Sequence, residues 1–155
     1  MDKPVKLEDI IDGIEMQTDE SESFLNIRTG EVVTISDEES EAAEEDKSVD
    51  LFPEWQHELI SKAKEILHSN DYISLPSKFQ VHEYSIMEKY CLSIDDDQIR
   101  DILYYSIKGS GAFRRFKDNI YKHSLEEEWY RFRDEAIKQI AIEWCEDNGI
   151  NYIEE

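Results

Sequence analysis

Apolar residues recur first at helical spacing and then at strand spacing in the amino-terminal part of the chain. Two β-prone runs, residues 24–28 and 31–35, flank Thr29-Gly30, which predicts a β-hairpin with a short glycine-containing turn. Before them, an apolar stripe at i, i+3, i+4 and i+7 predicts a first helix that ends near residue 17 and packs on the hairpin: Leu7, Ile10, Ile11 and Ile14.

Helical periodicity dominates the chain beyond residue 51. Pro53 suits the start of a helix that runs to about residue 69, and residues 71–76 form a β-prone piece that can extend the hairpin's sheet at its edge. Further apolar stripes predict helices near residues 84–91, 99–107, 113–120 and 125–144. Ser110 is predicted to cap one of them, and the tail after residue 150 can add a short strand. The predicted fold class is α+β and predominantly helical, with an amino-terminal helix and β-hairpin followed by a helical body of about five helices.

The segment 36–50 breaks this pattern, because it holds eight acidic residues, one lysine and almost no apolar side chain. The segment can bury very little apolar surface, and this burial does not offset the conformational entropy that the chain would lose on ordering. The composition therefore predicts a solvated acidic linker. The predicted organisation is therefore a helix and hairpin unit at 1–35, a linker at 36–50 and a helical body at 51–155. The first and last parts are expected to form one domain.

Composition narrows the possible functions. The 155 residues and 18.4 kDa fit one domain, and 39% hydrophobic and 11% aromatic residues are enough for a core. A formal net charge of −21 argues against extensive nucleic-acid binding or an anionic membrane surface as partner. Charged residues interrupt the first twelve positions and no apolar run has the length of a membrane span, so neither a secretory signal nor a span is expected. Cys91 and Cys145 lie far apart and fit helix faces, which predicts reduced, packed thiols and a cytoplasmic protein.

A basic segment stands out against this acidic background. Residues 108–123, KGSGAFRRFKDNIYKH, hold five basic residues and one acidic residue. Glycines at 109 and 111 allow close approach of the backbone, and the helix that follows offers free N–H groups and side-chain cations to a phosphate or a carboxylate. The candidate anion-binding residues are Gly109, Ser110, Gly111, Arg114, Arg115 and Lys117.

The same segment has a purely structural interpretation. Arg114 and Asp118 stand at i,i+4 and can pair, while the other cations meet acidic faces of neighbouring helices. In that case both phenylalanines, Phe113 and Phe116, are buried. The block 128–133, with its aromatic and arginine residues, is likewise interpreted as core packing with an arginine rim.

Nothing in the sequence indicates a catalytic centre. The four histidines lack the spacing of a zinc site, and no nucleophile elbow or P-loop occurs. The run Asp95-Asp96-Asp97 is interpreted as helix capping, since successive side chains point in different directions. No metal, cofactor or catalytic residue is assigned. The alternative function is a small hydrolase or nuclease with magnesium held near residues 95–97 or 126–128.

Three stretches of this chain, GSGAFRRFKD, WYRFRDEAIKQIAIEW and DNGI, resemble a bacterial group known as uncharacterised protein family 0158. The resemblance extends to LEDIIDGIE and NIRTGEVV, so it covers most of the chain except the acidic segment. It implies membership without a mechanism, because no activity is agreed for the family. Its pattern falls on Gly109, Gly111, Ala112, Phe113, Arg114, Phe116, Lys117, Asp118, Trp129, Tyr130, Phe132, Arg133, Ala141, Trp144 and Gly149.

These observations define a class of protein but no reaction or substrate. The expected function is a small, acidic, cytoplasmic and non-enzymatic binding or regulatory module, with a local anion-binding corner at residues 108–117. Its partner would be a phosphate-bearing ligand, a segment of nucleic-acid backbone or an acidic stretch of another protein.

Overall fold

Two compact units make up the part of the chain that the structure, a computed structural model, describes, which is residues 4–154. The first unit contains residues 4–81 and 140–154, and the second is His82–Gln139. The boundaries predicted at residues 35 and 50 therefore lie inside the first unit.

The first unit combines a three-stranded antiparallel sheet with helices. The sheet has the strand order β3-β2-β4, so the predicted hairpin and the predicted edge strand are both present. A short parallel pair joins β1 to β5 near the two ends of the chain. The elements are β1 Val5–Lys6, α1 Leu7–Met16, β2 Ser21–Asn26, β3 Val32–Ser36, α2 Asp37–Glu44, a 3-10 turn at Val49–Leu51, α3 Glu54–His68, β4 Tyr72–Ser74, α4 Lys78–Val81 and β5 Tyr152–Ile153.

The hairpin turn is longer than its sequence suggests. Leu25 pairs with Val32, and the Asn26 amide donates to the carbonyl of Glu31 at 2.8 Å, so four residues form the loop rather than two. The side chain of Asn26 organises it, because its Oδ1 accepts from the backbone N–H groups of residues 28 and 29. Gly30 then takes a positive φ of 78°.

The prediction of a solvated linker is wrong for residues 37–44, which form α2. Ser36 caps this helix in a full capping box with Glu39, and three of its residues are buried: Glu39, Ala42 and Ala43. Ala43 packs with Ile35 of β3 and Ala63 of α3. Two alanines and one cap therefore order a segment whose charge alone predicts disorder.

Four helices are the regular elements described in the second unit: α5 Glu83–Ser93, α6 Asp97–Ser106, α7 Ala112–Lys122 and α8 Glu126–Asp147, whose residues from Ile140 onward belong to the first unit. Their positions agree with the predicted stripes. Asp96, the middle residue of the run interpreted as helix capping, caps α6 and accepts from the amides of residues 98 and 99. Gly111 rather than Ser110 precedes α7.

The architecture is α+β and mostly helical, as the periodicity predicts. Among residues 4–154, none of the helices combines the length and the apolar character needed to cross a membrane.

Candidate functional site

The loop between α6 and α7 is held by the side chain of Arg115. Its three nitrogens donate to three backbone carbonyls: Nε to Ser106 at 2.7 Å, Nη2 to Lys108 at 2.5 Å and Nη1 to Ser110 at 2.5 Å. The carbonyl of Ser106 belongs to the last turn of α6, where backbone acceptors have no partner inside the helix. Arg115 therefore fixes the end of α6 and the course of the loop that follows.

The two glycines of this loop allow the backbone conformation that Arg115 holds in place. Gly109 and Gly111 have φ values of 78° and 79°, a region that residues with a Cβ avoid. A Cβ at Gly111 would also lie 2.9 Å from Nη1 of Arg115. Gly111 thus leaves room for the guanidinium as well as adopting the left-handed conformation.

The other cations of the segment lie on the outside. Arg114 is exposed and forms no ion pair with Asp118 or any other residue within 4–154, so the predicted i,i+4 pair is absent there. Lys108 lies 3.9 Å from the centroid of the Tyr104 ring, and a hydrogen bond to Tyr104 raises the pKa of this lysine. Lys117 is exposed and donates to the hydroxyl of Tyr130 at 3.4 Å.

A cavity of about 170 Å³ lies beside Lys117, between α5, α7 and the first half of α8. Phe116 and Trp129 form its buried aromatic wall, with ring centroids 4.7 Å apart and planes at 77°. Phe113 also lines it and is 51% exposed, so only one of the two phenylalanines is buried. The complete lining is Glu83, Met87, Phe113, Phe116, Lys117, Trp129, Tyr130 and Arg133.

Two buried polar groups beside this wall lack hydrogen-bond partners among the described residues. The indole N–H of Trp129 is one, although the residue is only 3% exposed. The other is the hydroxyl of Tyr90, whose ring centroid lies 5.4 Å from that of Trp129, and burial raises the pKa of this tyrosine to about 12. A buried donor without a hydrogen-bond partner lowers the free energy of unfolding by about 1–3 kcal/mol. A hydrogen-bond acceptor that reached either group would therefore stabilise the protein.

The charged side chains that line the cavity carry a net positive charge. Arg133 donates through Nε to Oε1 of Glu83 at 2.7 Å, which neutralises that pair. Lys117 then contributes one uncompensated positive charge to the lining. Arg114 stands one helical turn before Lys117 on α7, so a second exposed cation lies beside Lys117 on the helix surface.

Charge is also distributed unevenly between the two units. Residues 82–139 carry ten basic and twelve acidic residues, a net charge of −2. The remaining residues of the sequence carry seven basic against 26 acidic, a net charge of −19. The strong overall negative charge therefore belongs to the first unit, whereas the second unit, which contains α7, is nearly neutral.

Two of the carboxylates considered for magnesium have other partners, whereas Oε1 of Glu126 is buried without a hydrogen-bond partner among the described residues. Asp96 caps α6 and Asp97 pairs with Arg100. Within residues 4–154, no three side chains of His, Cys, Asp or Glu are placed together to hold a metal ion. Cys91 and Cys145 are free and buried, and burial raises the pKa of each thiol to about 11.

Sequence reasoning finds Lys117 and Arg114 but misses most of the cavity. Trp129 and Arg133 are interpreted there as core and rim, Met87 belongs only to an apolar helical stripe, and Glu83 carries no signal. The distance from residue 83 to residue 133 along the chain explains this, since only the packing of three helices brings them together. Gly109, Ser110 and Gly111 lie in the loop before α7, and Arg115 lies on α7 with its guanidinium directed at backbone carbonyls.

A family model described as an uncharacterised protein family, UPF0158, matches residues 2–155. The chain is also similar to a UPF0158 protein of Pseudomonas aeruginosa, with 24% identity over 66 residues. That alignment covers 42% of this chain and 43% of the relative, so the chain spans less than half the length of this relative. No solved structure matches the chain.

Proposed function

Since the chain belongs to the uncharacterised family UPF0158, we propose its function from its geometry: a non-enzymatic module that binds a small organic anion at α7. The ligand is one aromatic ring that carries a phosphate or a carboxylate. The observation that carries this proposal is the cavity beside Lys117, which Trp129 lines and whose aromatic wall holds a buried, unpartnered indole N–H.

The size of the cavity supports a single ring. Its volume is about 170 Å³, and an apolar protein cavity of about 150 Å³ holds benzene. Phe116 and Trp129 already meet edge to face, the arrangement in which a third ring also packs well.

The cations at the opening support a negatively charged substituent. Lys117 supplies one positive charge on the lining itself, and Arg114 supplies a second on the exposed surface of α7. Arg115 has a different role in this proposal, because its donors are used by the carbonyls of the loop. The residues Gly109, Ser110 and Gly111 shape the loop rather than holding the anion.

The indole of Trp129 supports a hydrogen-bond acceptor on the ligand. Donors buried without a partner are uncommon in folded proteins, and a bound acceptor would remove the cost. An oxygen attached to the ring, such as the ester oxygen of an aryl phosphate, meets this need. A bare phosphate reaches Lys117 and Arg114 but leaves the ring space and the indole unused.

The small volume of the cavity favours a small molecule over a nucleic-acid backbone or an acidic protein segment as the ligand. A cytoplasmic location is part of the proposal, and the two free thiols, Cys91 and Cys145, support it, because a reducing compartment preserves thiols.

A thermal-shift experiment tests the proposal with four probes: phenyl phosphate, benzoate, inorganic phosphate and benzyl alcohol. Phenyl phosphate should raise the Tm more than inorganic phosphate, which lacks the ring, and more than benzyl alcohol, which lacks the charge. The Lys117→Gln variant should lose most of this shift. The matched control is Lys122→Gln, which removes an exposed lysine of the same helix outside the cavity.

Two results would contradict the proposal. Equal shifts with phenyl phosphate and inorganic phosphate would mean that the cavity takes no part in binding. Equal losses in the Lys117 and Lys122 variants would mean that only the general charge of α7 attracts the anion.

A further inference from the structure

We propose that the first unit carries a docking groove for a basic amphipathic segment of a partner protein. The groove is a cavity of about 330 Å³ between α2, α3 and the β2-β3 hairpin. It lies within residues 22–67 and shares no lining residue with the cavity beside Lys117. The proposal is therefore independent of the proposed function.

The floor of the groove is apolar because two alanines face it. Ile35, Ala43 and Ala63 are buried, and the partly buried side chains of Phe24 and Ile66 pack against them. Alanine on both α2 and α3 leaves space that longer side chains would fill. Leu67 lines the same groove and remains 50% exposed, so the apolar surface reaches solvent.

The rim of the groove is acidic and has no cation of its own. Glu22 and Glu44 line it, both are exposed, and neither forms an ion pair within the described part of the chain. The nearby lysines are used elsewhere: Lys62 pairs with Glu31 at 2.9 Å, and Lys64 donates to the carbonyl of Lys47 at 2.7 Å. Two unpaired carboxylates beside an apolar floor therefore remain available.

This combination specifies the chemistry of the occupant. An apolar side chain fits the floor, and lysine or arginine residues beside it meet Glu22 and Glu44. The net charge of −19 on the residues outside 82–139 attracts such a segment at long range and raises its rate of association. An acidic peptide or a purely apolar peptide lacks the cations that would pair with Glu22 and Glu44.

Fluorescence anisotropy tests the groove with a labelled peptide of lysine and leucine whose leucines form one helical face. The full chain should bind it more tightly than a peptide of the same composition in scrambled order. The Glu22→Gln, Glu44→Gln double variant should weaken binding about tenfold, because two exposed ion pairs with the peptide are lost. Leu67→Ser should weaken it as well, because the apolar surface shrinks.

The control for charge is Glu41→Gln, Glu58→Gln, which changes net charge equally at exposed positions outside the groove. Its affinity for the peptide should stay within about twofold of the wild type. Equal binding of the scrambled peptide, or an equal loss in the control variant, would overturn the proposal. Light scattering tests whether a second copy of the chain occupies the groove. A dimer that dissociates in the Glu22→Gln, Glu44→Gln variant would show such an occupant and would overturn the proposal. The peptide affinity of Lys117→Gln should equal that of the wild type, so the two proposals fail separately.

Discussion

The side-chain nitrogen of Lys117 lies 3.4 Å from the hydroxyl of Tyr130 and 5.4 Å from the centroid of its ring. Tyr130 thus holds the lysine at the cavity opening through a hydrogen bond and a weak cation–π contact. Tyr130→Phe should weaken binding of phenyl phosphate about threefold, the effect of one exposed hydrogen bond, and Tyr130→Leu should weaken it further.

Isothermal titration calorimetry measures both affinities. Because Tyr130 is 41% exposed, neither change should lower the Tm by more than a few degrees. Unchanged affinity in Tyr130→Leu would show that Lys117 is not positioned by this ring.

Substitution of Arg115 should lower the stability of the protein, whereas substitution of the adjacent Arg114 should weaken anion binding. Arg115→Ala removes three hydrogen bonds to the loop and should cost about 2 kcal/mol, which lowers the Tm by roughly 4–8 °C in a chain of this size. Arg114→Ala should change stability by less than about 0.5 kcal/mol but weaken anion binding. Urea unfolding and calorimetry separate the two effects. Equal destabilisation by both changes would contradict the assigned roles.

The sequence could not distinguish these two arginines. Both belong to one basic run before a helix, and both have the donor geometry that suits an anion. Only the packing of α6 against α7 brings the carbonyls of Ser106 and Lys108 to Arg115. The outer cations and the positive-φ glycines could be predicted, whereas the division of labour between the arginines depends on tertiary structure.

The capping box of α2 should stabilise the first unit measurably. The Ser36 hydroxyl accepts from the Glu39 amide, and the Glu39 carboxylate accepts from the Ser36 amide at 3.0 Å. Ser36→Ala should therefore lower the free energy of unfolding by about 1 kcal/mol. Ser48→Ala is the control, because Ser48 caps only the exposed 3-10 turn, and its effect should be smaller. A loss at Ser48 as large as that at Ser36 would contradict the buried role of α2.

Residues 37–44, predicted as a linker, form α2 because a capping box and two buried alanines outweigh the net charge of the segment. Residues 36–39 form a Ser-x-x-Glu box, and Ala42-Ala43 follows where the helix meets the sheet, so the evidence for α2 was present in the sequence. The hairpin was predictable from β-branched residues and Gly30, but its loop length depended on the side chain of Asn26. The cavity was not predictable, because residues 83 and 133 have no periodic relationship.

Stability should fall at alkaline pH. Burial raises the pKa of the Cys91 and Cys145 thiols from 9.0 to about 11, and that of Tyr90 from 10.0 to about 12. As pH rises above 9, the unfolded chain loses these protons before the folded chain does, so the free energy of unfolding decreases. The decrease should begin near pH 9 and continue to about pH 12, with little contribution below that range.

Iodoacetamide alkylation followed by mass spectrometry checks the thiols directly. In the folded protein at pH 8, both cysteines should react much more slowly than in urea, because the thiolate is the reactive form. Rapid alkylation of either cysteine without denaturant would contradict its burial.

The most direct test of the central claim is the NMR resonance of the Trp129 indole N–H during a titration with phenyl phosphate. The resonance is assigned by its loss in Trp129→Phe, which separates it from the other two tryptophans. We predict that it moves downfield and saturates with the ligand, since the N–H gains an acceptor, and that Lys117→Gln weakens this response while Lys122→Gln does not. A Trp129 resonance that stays unchanged while phenyl phosphate binds would contradict the proposal that the cavity holds the ring.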